Sequence, residues 1–369
     1  MITGREVTPT SAIPPLVFTD CNLHELPHEP RYAAAAGGST GGAARPAAGR
    51  REVKVGGKRV RTIDVHAHCV IPETLNLLGM GRNPQRGPGI EEVGERRIRE
   101  MDEQGIDVEV LSINPYWYKA EKDLAVEVVR INNERLAEFC AKYPDRISAF
   151  ASVSIQFPEL AAEQLEHAVR KLGLKGPAVG ASCSGDDFSN PRFQPFWKKC
   201  EDLDVCVFIH PQSTPELHKR LAGNGWLSNT IGNPLDTTIC LSKFIFEGTL
   251  DRHPKLKLCS AHGGGFLPSY APRSDNACRV GPDECNPAIQ LKKKPTEYLR
   301  DMYFDTLVFT SEALRHLAAE VGVNRLVIGT DHPIPWNPNP VDHILDAPDF
   351  TDEEKIAMLG ETAAKLLKM

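Results

Sequence analysis

The chain has no apolar run near the ~20 residues that a membrane helix needs, and its N-terminus lacks a basic segment followed by an apolar core. The first absence excludes a helical membrane span, and the second argues against a secretory signal. Excess positive charge is also missing. A formal net charge of −6 over 369 residues speaks against a general nucleic-acid binder. No CxxC pair occurs among the ten cysteines. Cys206 and Cys259 sit inside apolar strand-like runs, where a free thiol behaves as a small hydrophobe. That usage predicts a reducing, cytoplasmic setting with at most a minor role for disulfides. No GxGxxG follows the first apolar run, so a doubly wound open sheet finds no support.

What is present is the composition of a globular protein, 41% hydrophobic and 25% charged. Residues 1–59 differ from the rest. A stretch rich in Pro and Thr leads into the low-complexity Ala33–Arg50, and Val53–Val60 has the form of a short hairpin around Gly56-Gly57. The expected division is an N-terminal arm and linker over 1–59, mobile or wrapped on the surface, or else crossing to a partner subunit, and a catalytic domain over 60–369.

From Arg61 onward, apolar runs alternate with amphipathic segments. Strands are predicted at Ile63–His68, Val108–Ile113, Ile147–Val153, Pro177–Ala181, Val205–His210, Leu256–His262, Met302–Thr306 and Leu326–Asp331. Helices are predicted at Glu95–Gln104, Lys119–Lys142, Pro158–Leu172, Pro191–Leu203, Pro234–Asp251, Phe266–Arg279, Ser311–Val321 and Thr351–Leu367. Such alternation indicates a parallel sheet, and eight repeats fit an α/β protein of the (β/α)8 TIM-barrel class with an N-terminal extension.

Barrel chemistry gathers at the C-terminal ends of the strands. His66 and His68 end the first predicted strand, His210 the fifth, His262 the sixth and Asp331 the eighth. Positions i and i+2 of a strand share a face, so His66 and His68 can grip one cation from a single strand. A catalytic metal takes about three protein ligands and keeps an open position, and the other strand ends supply them. Tyr116 and Trp117 follow the second strand and Trp336 follows the eighth, where aromatic rings suit a planar conjugated or phenolic acid. His332 is a further candidate for supporting the site or binding substrate.

These residues resemble the amidohydrolase superfamily, and within it the decarboxylase branch of aminocarboxymuconate semialdehyde and hydroxybenzoate decarboxylases. The resemblance rests on His66-Ala-His68, His210, His262-Gly-Gly-Gly265 and Gly329-Thr-Asp331-His-Pro333. Arg99–Asp107, Arg273-Ser-Asp-Asn276 and Glu297-Tyr-Leu299 add to it. It covers about residues 61–369 and implies that His66, His68, His210 and Asp331 hold one divalent metal, Zn or Mn, with His262 and Asp331 catalytic. Two-metal members use a strand-four lysine, which Gly176–Ser182 lacks. Arg273 matches an arginine that binds a substrate carboxylate from a neighbouring subunit, which implies a homodimer or higher homo-oligomer. The family's other carboxylate-binding arginine falls in the loop after the first strand, at Arg82, at Arg86 or at neither.

The expected activity is non-oxidative decarboxylation of a small aromatic or conjugated carboxylic acid in aromatic-compound catabolism. His262 returns a proton to carbon, since imidazole titrates near neutrality. The alternative is a hydrolase or hydratase using metal-bound hydroxide on a carbon–carbon, ester or amide bond.

Overall fold

The computed structural model describes residues 49–80, 93–212 and 214–369. Most of the N-terminal arm, with Arg82 and Arg86, lies outside them. The expected hairpin is present: Lys54–Val55 pairs antiparallel with Lys58–Arg59. Its turn needs glycine, because Gly56 and Gly57 have φ of 54° and 78°. Val53, Val55 and Val60 are buried in the main apolar core, so this end of the chain is packed onto the barrel.

All eight predicted strands form. They are β1 (Ile63–His68), β2 (Val108–Ser112), β3 (Ile147–Ala149), β4 (Ala178–Val179), β5 (Cys206–Ile209), β6 (Lys257–Ser260), β7 (Tyr303–Asp305) and β8 (Leu326–Val327). Pairing is parallel within β1-β2-β3 and within β4-β5-β6-β7-β8. Bridges Ala151↔Pro177 and Asp64↔Ile328 join the two arcs into a closed barrel. Most strands are shorter than their apolar runs. At β4 the reason is Pro177, which has no N–H for the ladder; its neighbours still bond, Ala178 N–H to the Ala151 carbonyl and Phe208 N–H to that of Pro177, each at 2.9 Å.

Glu95–Gln104, Pro158–Leu172 and Ser311–Val321 are helical over the predicted spans, and Lys122–Lys142 starts three residues late. The Thr310 hydroxyl caps Ser311–Val321 by accepting the Ala313 N–H at 3.1 Å. Others are broken. Asn233–Phe246 and Thr249–Arg252 are separated at Gly248, which has φ 66°. Leu267–Ser274 stops before a second short helix, Ala277–Val280.

Ile63, Val65, Val108, Val110, Phe150, Cys206, Phe208, Cys259 and Val327 pack together with Ala363, Leu366 and Leu367 of the C-terminal helix Thr362–Leu367. Phe150 and Phe208 stack at 5.3 Å across this cluster. One cysteine expectation needs correcting. Cys278 and Cys285 form a disulfide across seven residues of an exposed segment. Cys206 and Cys259 are buried as expected, and so are the other free cysteines of the described residues, Cys140 excepted. No helix among the described residues is long and apolar enough to cross a membrane.

Leu366 is almost fully buried in the cluster shared with the strands. Leu366→Ala should lower stability by about 2–5 kcal/mol, read as a shift of the urea midpoint at an unchanged slope. A shift within error would remove the C-terminal helix from the barrel core.

Candidate metal centre

Four strand ends bring five predicted residues to one point. The register of β1 shifts between Asp64 and Ala67, an irregularity that contains His66, and His66 Nε2 and His68 Nε2 lie 3.1 Å apart. His210 follows β5, its N–H donating to the Val179 carbonyl at 2.9 Å. His262 follows β6 and Asp331 follows β8. Both have positive φ, 54° and 62°, an unfavourable conformation for residues other than glycine. The backbone beside them is crowded. A Cβ on Gly265 would stand 2.1 Å from the Pro234 carbonyl oxygen, so the glycine run lets the His262 turn fit against the preceding helix, Asn233–Phe246.

Asp331 is the hub. Its Oδ1 is 2.9 Å from His68 Nε2 and 3.3 Å from His66 Nε2, and its Oδ2 is 3.8 Å from His262 Nε2. These are close approaches without hydrogen-bond geometry. Both Asp331 oxygens, both His210 ring nitrogens and His262 Nδ1 are buried with no hydrogen-bond partner. Polar atoms buried this way are costly unless something binds them. One ligand atom each from His66, His210, His262 and Asp331 lies within 4.8 Å of the others. Imidazole nitrogens with one carboxylate suit a divalent ion such as Zn or Mn, and the residues present fit it. This group takes His262 where the sequence reading takes His68, although His68 is nearer to Asp331.

The ring orientations are fixed from behind. His66 Nδ1–H donates to Asp305 Oδ2 at 2.6 Å, and His68 Nδ1 pairs with the Ser112 hydroxyl at 3.0 Å. Each ring therefore turns Nε2 towards Asp331, the arrangement that outer partners impose on metal-binding histidines. Asp305 also accepts N–H bonds from His262 at 2.9 Å, Gly263 at 2.8 Å and Leu307 at 3.1 Å. Sequence reading missed Asp305, although it ends β7 and so meets the same strand-end criterion as the histidines.

Electrostatics follow from burial and these contacts. Burial opposes charge on His66, but Asp331 and Asp305 raise its pKa to about 10. Burial and the neighbouring imidazoles push His210 well below its usual value, and burial is the main cause of the lowering at His68. Burial opposes charge on Asp331, but His66, His262 and His68 together hold it well below the carboxylate range. His332 has both ring nitrogens against carboxylates, Nδ1 at 2.7 Å from Glu109 and Nε2 at 3.0 Å from Glu100.

The other predicted residues are dispersed. Trp117 is a correction. It is fully buried and donates its indole N–H to the Val153 carbonyl at 2.9 Å, so it packs in the core and not at the exposed rim. Tyr116 is half-buried with its hydroxyl 2.8 Å from the Thr74 hydroxyl. Trp336 stacks on Trp226, from the segment after β5, at 5.4 Å. Arg273 is exposed on Leu267–Ser274, and the described residues give it no ion pair within the chain.

A family model described as amidohydrolase matches residues 63–369. The chain belongs to the amidohydrolase family. This amidohydrolase is 30% identical to the 2-amino-3-carboxymuconate-6-semialdehyde decarboxylase of Dictyostelium discoideum, over 73% of this chain and 75% of that protein. It is also 30% identical to the gamma-resorcylate decarboxylase of Rhodococcus jostii, over 83% of this chain and 98% of that one. Among solved structures it resembles a dihydroxybenzoic acid decarboxylase from Polaromonas with bound manganese and the inhibitor 2-nitroresorcinol. The TM-score is 0.70 at 26% identity, covering 84% of this chain and 97% of that one.

Two outcomes are expected of this centre. Asp305→Asn should weaken metal binding about 10–100-fold, measured by titrating metal-depleted protein; unchanged affinity would free His66 from Asp305. Second, the raised pKa of His66 stabilises the metal-free fold fully below pH 6.5, and that contribution is lost as pH rises through about 10. A cation must displace that proton. Calorimetry at pH 7 in buffers of different ionisation enthalpy should therefore show proton release on metal uptake, and no release would contradict the His66 assignment.

Proposed function

We propose that this amidohydrolase is a metal-dependent, non-oxidative decarboxylase of a hydroxylated aromatic acid, acting in aromatic-compound catabolism. The observation that carries the reading is the cluster of orphaned imidazole and carboxylate atoms around Asp331. Relatives named as decarboxylases support the choice of reaction, and two of them, the gamma-resorcylate and dihydroxybenzoic acid decarboxylases, support the choice of acid.

His66, His68, His210 and Asp331 would hold the ion, Mn or Zn. When bound, a divalent ion supplies Lewis-acid stabilisation of the negative charge that develops on the substrate. His262 is left for proton transfer because it alone keeps solvent access: its side chain is 14% exposed, against 0–1% for His66 and His68. In the reaction the bond between ring carbon and carboxylate breaks, its electron pair stays on the ring carbon, and CO2 leaves. The His262 imidazolium then gives that carbon its proton and is reprotonated from solvent. Tyr116 and Trp336 stand on loops after β2 and β8, where they suit the substrate ring.

The carboxylate needs a cation, and guanidinium binds it in bidentate fashion. Arg273 would serve from the partner subunit of a homodimer. Its exposure, and that of Phe266 and Tyr270 near it on the same helical segment, support an interface there. The compartment proposed is the cytoplasm.

Incubation of Mn-loaded protein with 2,6-dihydroxybenzoate and carboxymuconate-type acids should give a product lighter by one CO2. A gain of one water would move the assignment to the hydrolase or hydratase reading. His262→Asn should keep its metal and lose about 10²–10⁴-fold in turnover; loss of metal instead would make His262 a ligand. Light scattering over a dilution series should track activity with the dimer, and a fully active monomer would exclude Arg273 in this role.

A further inference from the structure

Behind β1 lies a buried ionic group that the reaction above does not use. Arg97, on Glu95–Gln104, donates through Nη1 to Glu109 Oε2 at 2.7 Å and through Nη2 to the backbone carbonyl of His68 at 2.6 Å. Glu109, on β2, is fully buried, and its other oxygen is 2.7 Å from His332 Nδ1. Glu100, one turn along from Arg97, is 3.0 Å from His332 Nε2. His332 is in turn tied to β1, since its carbonyl accepts the His68 N–H at 2.7 Å.

Fold stability is a poor reason to keep such a group. Desolvating these charges costs several kcal/mol per ion, and apolar replacements of buried pairs are often neutral or stabilising. Arg97 Nε, moreover, is buried without an acceptor. What the members share is their grip. One end holds the peptide of His68, and the other holds the residue next to Asp331.

We propose that Arg97 and Glu109 are positioning residues, clamping the end of β1 to the loop after β8 and so setting the 2.9 Å separation of His68 Nε2 and Asp331 Oδ1. This rests on the reading of His68 and Asp331 as metal ligands. The clamp acts through those two residues and needs no contact with substrate.

The test compares full-length, metal-depleted wild type with Glu109→Gln, with the double variant Arg97→Met/Glu109→Leu, and with His68→Ala as reference. Mn²⁺ affinity is read by paramagnetic resonance titration, and stability by urea unfolding of the same metal-free samples. The double variant leaves neither partner of the Arg97–Glu109 pair behind, so its urea midpoint should stay near that of wild type while Mn²⁺ binding weakens about 10–100-fold. Glu109→Gln keeps the shape of the side chain and should weaken binding in the same direction, which carries the test if the double variant does not fold. Wild-type Mn²⁺ affinity in a folded variant, with His68→Ala defective, overturns the clamp alone. Wild-type affinity in His68→Ala overturns the ligand reading and the clamp with it.

Discussion

The Asp305 carboxylate, sealed inside the end of β7, is the constraint from which the rest of the centre follows. It takes the Nδ1–H of His66 and the backbone N–H groups of His262, Gly263 and Leu307. One anion thereby fixes the tautomer of an imidazole on β1 and the backbone turn that places another after β6. Burial would push its pKa up, but the hydrogen bond from His66 lowers it, so it remains ionised. Its position also explains a glycine. A Cβ on Gly329 would stand 2.5 Å from Asp305 Cβ, so β8 can pass only without a side chain there. Two residues later the chain reaches Asp331, so the glycine that admits Asp305 also leads into the hub of the cluster.

Much of the barrel and cluster was legible because both follow short rules. Apolar runs alternating with amphipathic segments give the strands and helices in order, and the strand-end rule picks out His66, His68, His210, His262 and Asp331. The rest depends on information that periodicity does not hold. Asp305 was missed because an acid at a strand end looks like a solvated one until three backbone N–H groups are seen converging on it. Trp117 sits one residue from the half-buried Tyr116, yet its indole finds the carbonyl of Val153, in the segment after β3. An aromatic in a loop cannot be assigned to rim or core until the packing of that loop is known. Cys278 and Cys285 join two ends of an exposed segment by a pairing that scattered cysteine spacing does not reveal.

Positive φ at His262 and Asp331 has a place in this account. Each costs of order 1–3 kcal/mol and each sits where a strand must turn its last side chain inward. Surrounding contacts overdetermine both conformations: Asp305 holds the His262 peptide, and the Asp331 N–H donates to the His66 carbonyl at 2.8 Å. The strain is thus local to the residues whose aim matters and is offset by hydrogen bonds from neighbouring strands.

Charge balance links the metal to the kind of substrate that can enter. Without a cation, the protonated His66 faces the ionised Asp331 and Asp305, and His68 and His210 are driven towards neutrality. That set is net negative in a buried site, and a carboxylate approaching it would meet repulsion strengthened by the low local dielectric. With a divalent ion held in place of the His66 proton, the same set would be neutral, and an anionic acid would approach without adding to a buried excess of negative charge. Metal binding and recognition of an acid are therefore coupled through Asp305 and Asp331. A neutral ester or amide meets no such repulsion in either state, so this coupling to the metal is specific to an acid.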